Sequence, residues 1–227
     1  MHEKKPKQIR VFLEQEIRED MEKYRQMALD MGMTDAKAIP AERVYVDTRV
    51  RFKCMIPKCP SYGSCATCPP HGYETAQIRE LVSAFRFALL MKLNIDSSNI
   101  TGDGLLAIDK EGNIVPTKPM LQLLKGYRKV ADVVTNIESE AFYDGHYLAL
   151  AFSAGSCKAH YCNFLECQVL KGMPCRFPLK SRPSMESSSM DVYRMAAEAG
   201  WEIFPIGSDC NPAHVPHGTL VGLVLVD

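Results

Sequence analysis

Eight of the nine cysteines in this chain fall into two dense runs, and that placement constrains the fold more than any other feature. The first run sets Cys54, Cys59, Cys65 and Cys68 within 15 residues; the second sets Cys157, Cys162, Cys167 and Cys175 within 19. A disulfide framework does not suit this pattern. Nine cysteines in 227 residues are about 4% of the chain, below the roughly 8–10% of a disulfide scaffold. Their number is odd, and Met-His-Glu-Lys-Lys-Pro-Lys-Gln leads into a charged amphipathic stretch with no visible export signal. A reducing, cytoplasmic setting is the expectation. A chain this long also buries enough surface on folding to need no covalent staples.

Clustered thiols have a second use. A thiolate is a soft ligand, and four around a compact centre satisfy zinc or an iron–sulfur cluster. Eight cysteines acting as small buried hydrophobes would not explain loops otherwise rich in Lys, Ser, Asn and Pro. The spacing favours iron–sulfur. Structural zinc usually takes two short Cys pairs set well apart, whereas only Cys65 and Cys68 are closely paired here. One unbroken run of four suits the larger cubane, and Pro69 after Cys68 echoes the Cys-Pro ending of ferredoxin runs. Two iron–sulfur clusters of the 4Fe-4S type are therefore expected, with zinc as the alternative. Cys65 is the least secure of the eight ligands. Cys54, Cys59 and Cys68 could bind a cluster with one iron left open, which would make an electron carrier a possible Lewis-acid or substrate-binding site.

The ninth cysteine, Cys210, stands near His214 and His217 in a spacing that could bind a metal or complete an active site. A polar connection with incidental histidines explains it as well. His160 lies inside the second run and His71 just after the first, where four nearby thiols make them better read as loop or supporting residues. Arg176, Lys180 and Arg182 crowd the exit of the second run. They either offset cluster charge, grip an anionic substrate, or form a plain solvated face. No G-x-G-x-x-G, P-loop or G-x-S-x-G pattern occurs.

The rest of the chain supplies an α/β (or α+β) frame. Apolar residues three or four apart predict helices over 12–31, within an N-terminal helical region 1–40, and over 75–85, 120–142 and 193–199, the last opened by Ser188 and Asp191. Alternation over 44–52 predicts a half-exposed strand, and the apolar runs 87–91 and 147–152 predict buried ones. A hairpin is expected around 105–115, and final strands at 201–206 and 220–226, with Pro205 marking an edge. Read this way, one domain has a central sheet with helices packed on it. Its two halves, 43–95 and 146–207, share an order of strand, cysteine loop, helix and strand, as an internal duplication would give.

Charge narrows the partners. Twenty-seven basic residues balance 27 acidic ones, so no net field recruits nucleic acid or an anionic membrane, and no apolar run reaches the roughly 20 residues of a membrane span. A redox partner protein or a small-molecule substrate is the expected counterpart.

With the runs laid out, the sequence resembles a cysteine-rich family of predicted metal-binding proteins, domain of unknown function 2284, found in anaerobic bacteria and archaea. The likeness is carried by Arg51-Phe-Lys-Cys54 through Tyr62-Gly63 to Cys68-Pro-Pro70, and by Ala154-Gly-Ser-Cys157 through Cys175-Arg-Phe-Pro178 to Arg182-Pro-Ser-Met-Glu186. The helix lead-in with Ile137, Glu138 and Phe142 also fits; Cys65 and the Ser187–Ser189 stretch look untypical. The resemblance implies cysteine-bound metal, iron–sulfur first, and names no reaction. Electron transfer or a cluster-based reductive reaction is the leading expectation. A zinc-stabilised binding module without catalysis, or a metal or cluster delivery protein, are the alternatives.

Overall fold

The computed structural model describes residues 5–101, 106–108, 110–111, 114–207 and 209–227. Its centre is a four-stranded antiparallel sheet in the order β1 (Asp35–Pro40), β2 (Phe87–Ile95), β6 (Gly218–Val226), β5 (Leu150–Phe152). Strands β2 and β6 pair along their whole length, from Phe87 opposite Val226 to Ile95 opposite Gly218. Successive side chains of a strand point to opposite faces. Phe87, Leu89 and Met91 thus join one apolar layer with Leu220, Val224 and Val226, while Ala88 and Leu90 join another with Val221, Leu223 and Leu225. Both faces are covered, which is why these strands read as unbroken apolar runs.

The first layer comes from α1 (Glu14–Asp30) and α4 (Lys118–Asp144). Helix α1 buries Ile17, Met21, Tyr24 and Ala28, one stripe at helical spacing. Helix α4 is capped by the Thr117 side chain and stops at Gly145, whose φ of +110° suits glycine. It lies close on the sheet because of Gly222: a Cβ there would stand 2.7 Å from the Cγ1 atoms of Val130 and Val134. The second layer comes from α3 (Thr75–Ser83) and α6 (Val192–Glu198), through Ile78, Val82, Met195 and Ala196, with Trp201 beside them. The result is a helix–sheet–helix sandwich, the expected α/β class. No helix among the described residues is long and apolar enough to cross a membrane.

Several local expectations are corrected. The helical region read over 1–40 ends at Asp30, and Asp35–Pro40 forms the edge strand β1. Residues 44–52 are no strand: Val46 makes one isolated bridge to Met190, and the Asp47 side chain then accepts from the Arg49 N–H at 2.8 Å and starts α2 (Thr48–Phe52). The cap ended an alternation that was accidental beyond Val46. Residues 201–206 are also unpaired, because Trp201 turns inward and donates from Nε1 to Asp35 Oδ2 at 2.7 Å. The element order of the two halves therefore does not repeat. Asp191, rather than Ser188, caps α6 by accepting from the Arg194 N–H at 3.1 Å. The hairpin is present as β3 (Leu106–Ile108) paired with β4 (Ile114–Pro116), though residues 105, 109, 112 and 113 of the expected segment lie outside those described.

Candidate metal centre

Helix α2 delivers the first cysteine run. Its Arg51, read as the exposed side of a strand, is only 7% exposed. The guanidinium donates to the Tyr73 carbonyl at 2.8 Å and to Glu74 Oε1 at 2.7 Å. One side chain thereby joins the start of the loop to the residue that caps α3, closing a 22-residue excursion at its base. Within it, the Cys59 N–H bonds the Cys54 carbonyl and the Cys68 N–H bonds the Cys65 carbonyl, at 3.0 and 3.1 Å. These turns bring the sulfurs of a polar loop inward.

Strand β5 delivers the second run. After Phe152 the chain turns at Gly155, with φ +66°, and enters the short helix α5 (Cys157–His160). A Cβ at Gly155 would stand 2.9 Å from the Tyr127 ring of α4. Glycine therefore lets the loop lie against that ring. Helix α4 is the floor for both runs: Cys65, Cys68, Cys157, Ala131 and Tyr161 form a third apolar cluster, with Phe177 packed on it. Tyr161 donates its hydroxyl to Asp132 Oδ1 at 3.0 Å, and Lys180 pairs with the same oxygen at 2.7 Å.

Two sulfurs approach one another across the runs. Cys65 Sγ lies 3.4 Å from Cys157 Sγ, and Thr67 Oγ1 lies 3.2 Å from the former and 3.4 Å from the latter. Cys65 and Cys157 are both buried, and Cys68 stands beside them, 3.7 Å from Ser156 Oγ. Hydrogen bonds from Cys157 and Cys68 favour the thiolate on Cys65 and push that thiol far down. The bond to Cys65 and burial push Cys68 and Cys157 far up.

A different set lines the neighbouring cavity of about 190 Å³. Cys54, Cys59 and Cys68 open into it together with Tyr62, Tyr127 and Glu186. Burial raises the pKa of Cys54, with the negative charges of Cys59 and Glu186 adding to the effect and Arg51 opposing it. Surrounding protein likewise raises Glu186, a hydrogen bond from the Ser184 side chain opposing, although Glu186 is exposed to solvent. Cys65 is not among the lining residues.

The rest of the second run lies further out. Cys162, Cys167 and Cys175 are near enough to influence one another: burial raises Cys162, the Arg176 side chain opposes that, and Cys175 and Cys167 add to the rise. The Phe177 N–H points to Cys175 Sγ at 3.4 Å. All nine cysteines are free thiols. Of the three cations at the exit, Lys180 serves Asp132 and Arg182 serves Glu138, so only Arg176 is directed at a cysteine.

Among the described residues no three His, Cys, Asp or Glu side chains form a ready-made cage for a single metal ion. Cys210, His214 and His217 in particular do not converge: Cys210 contacts the Asn211 carbonyl, His214 is exposed, and His217 meets the edge of Phe204. His71 is exposed as well. His160 is buried against Tyr127 and Tyr161, and burial lowers its pKa to about 4. The donor set nonetheless fits thiolate chemistry, since soft, mostly shielded sulfurs from two loops meet on one helix. Thr67 and Tyr127 were not singled out from sequence, and Arg51 and Glu186 were named only within the stretches that carry the family resemblance. Of these, Glu186 carried a usable signal, a lone acid within the Ser-rich segment that follows the second run.

A helix–sheet–helix sandwich bearing two facing cysteine loops defines a cysteine-rich α/β protein with the donors of a metal binder. The chain belongs to the family of predicted metal-binding proteins (DUF2284), which matches residues 37–226. No curated protein and no solved structure matches it.

Proposed function

We propose that the two cysteine runs bind iron–sulfur clusters, and that the protein uses them to pass electrons to a partner protein or to reduce a small molecule at a cluster with one iron open. The supporting observation is the shared cavity of Cys54, Cys59 and Cys68, which Cys65 does not line. Three thiolates around one solvent-reachable space leave a position for something other than cysteine. Cys157, Cys162, Cys167 and Cys175 would serve a second cluster. When bound, such clusters supply one-electron chemistry tuned by charge, hydrogen bonds to sulfur and exposure. Arg176 beside Cys162 and the Thr67 hydroxyl beside Cys157 are of the kind that does the tuning.

One observation favours a second reading, a zinc-stabilised binding module. Cys65 and Cys157 stand 3.4 Å apart. Sulfurs placed ~2.3 Å from a tetrahedral zinc ion lie ~3.8 Å from one another, and cysteines on different irons of a cubane lie much further apart. Anaerobic purification decides between them. A brown protein with about eight iron and eight sulfide per chain, bleached by dithionite, is expected if both runs carry cubanes. A colourless protein with stoichiometric zinc and no sulfide overturns the iron–sulfur reading.

A further inference from the structure

We propose that Glu186 is the fourth protein ligand of the centre held by Cys54, Cys59 and Cys68, so that this centre has three sulfurs and one oxygen and Cys65 stands outside it. The inference rests on the reading of the first run as a metal site.

Position carries the argument. Glu186 lines the same cavity as the three cysteines, although it lies 118 residues beyond Cys68 in the chain. The turn that presents it is held on every side. Ser184 bridges Ser153 at the end of β5, where the Met185 N–H donates to the Ser153 carbonyl at 2.9 Å. The Ser187 hydroxyl donates to the Ser184 carbonyl at 3.0 Å, and Ser189 Oγ lies 2.8 Å from Thr75 Oγ1. The Ser189 carbonyl accepts from Asp47, the cap of α2, at 2.8 Å. Met185, Ser187, Ser188 and Ser189 are all buried. Thus the strand that leads to the second run and the helix that leads to the first share one turn, and its Glu186 lines the cavity of the three thiols.

Charge agrees with position. Among the described residues Glu186 has no cationic partner, and its neighbours across the cavity are acidic or neutral groups: Cys54, Cys59, Tyr127 and the serines. Glu186 is exposed to solvent and its carboxylate accepts from the Ser184 side chain, and among the described residues no cation competes with a metal for it. Cys65, by contrast, is engaged with Cys157 and Thr67. In a cluster whose other irons would be held by thiolates, a carboxylate oxygen would be the harder and more weakly held protein donor. The iron it holds is then the one to exchange its ligand for a substrate.

The test uses the full chain, loaded anaerobically, as wild type and as Glu186→Ala, Glu186→Cys and Cys65→Ser, with circular dichroism confirming the fold. Iron, sulfide and the electron paramagnetic resonance of oxidised and reduced samples are measured. The expected result is loss of about one iron per chain and a three-iron signal in Glu186→Ala, recovery of that iron in Glu186→Cys, and no loss in Cys65→Ser. Full iron and an unaltered spectrum in Glu186→Ala, or loss of the iron in Cys65→Ser, overturns the proposal. Should the wild type carry zinc and no sulfide, the iron–sulfur reading has failed on its own. Zinc-edge X-ray absorption then reads the ligand: an oxygen neighbour replaced by sulfur in Glu186→Cys supports Glu186, and identical spectra reject it.

Discussion

Arg182 grips Glu138 with two nitrogens: Nε lies 2.9 Å and Nη2 2.5 Å from Glu138 Oε2. The other carboxylate oxygen accepts from the Ala151 N–H of β5 at 2.8 Å. One acid on α4 thus fixes both the strand entering the second cysteine run and the segment leaving it. Both side chains are largely shielded, at 12% and 23% exposure. Glu138→Ala leaves the Arg182 charge and the Ala151 donor unsatisfied, and the expected cost is about 2–3 kcal/mol. Arg182→Lys recovers only part, because an ammonium cannot make the two-nitrogen contact. Urea unfolding of the three proteins checks this. Equal midpoints for wild type and Glu138→Ala would remove the pair from the structural account.

Asp144 predicts an acid limb of the stability profile. It lies at the end of α4, 5% exposed, and is met by Lys7 and Lys23 at 2.7 Å and by the Tyr24 hydroxyl at 2.9 Å. Burial alone would raise its pKa, but hydrogen bonds from Lys23, Lys7 and Tyr24 outweigh that and hold it below the ordinary 3.8. A carboxyl depressed on folding contributes stability above its unfolded pKa and loses it as pH falls through the lower folded value. Unfolding midpoints should therefore fall as pH drops below about 3.8, and less steeply in Asp144→Asn. At neutral pH the variant should already be less stable by about 2 kcal/mol. Parallel acid limbs for the two proteins would show that other carboxylates set the profile.

Cys210→Ser and a His214→Ala, His217→Ala double variant should keep the full metal content of the wild type. Their side chains point to separate surroundings rather than to one another. Cys59→Ser, measured beside them, should lose metal, since its sulfur opens into the shared cavity. Elemental analysis after desalting distinguishes the two groups. A drop in the Cys210 or histidine variants would place a further site in that connection.

Much of the frame was legible because periodicity records burial directly. The stripe of α1 and the apolar runs of β2 and β6 are the imprint of layers that the sheet separates. Strand β1 was missed because Asp35-Ala-Lys-Ala-Ile-Pro40 lies on an edge and has neither a clear alternation nor a β-branched run. Residues 44–52 misled for the opposite reason: an alternation was there, but one aspartate side chain capped the backbone into a helix. The eight thiols in two runs were plain from spacing. The meeting of Cys65 with Cys157 was not, since a contact over 92 residues depends on where α4 and β5 put the loops. Glu186 stood out as the lone acid of a Ser-rich segment, but the cavity it shares with the first run, 118 residues earlier, was not legible for the same reason.

That contact also sets an order of events. Strand β2 and helix α4 separate the two runs in the chain, and β6, the strand joining β2 to β5, comes last of all. While the chain is being synthesised, the first four thiols emerge well before the loop they face, and the sheet that holds both loops in place closes only when β6 docks. A centre built from both loops would therefore be completed only once β6 has docked, and its filling would report a finished fold.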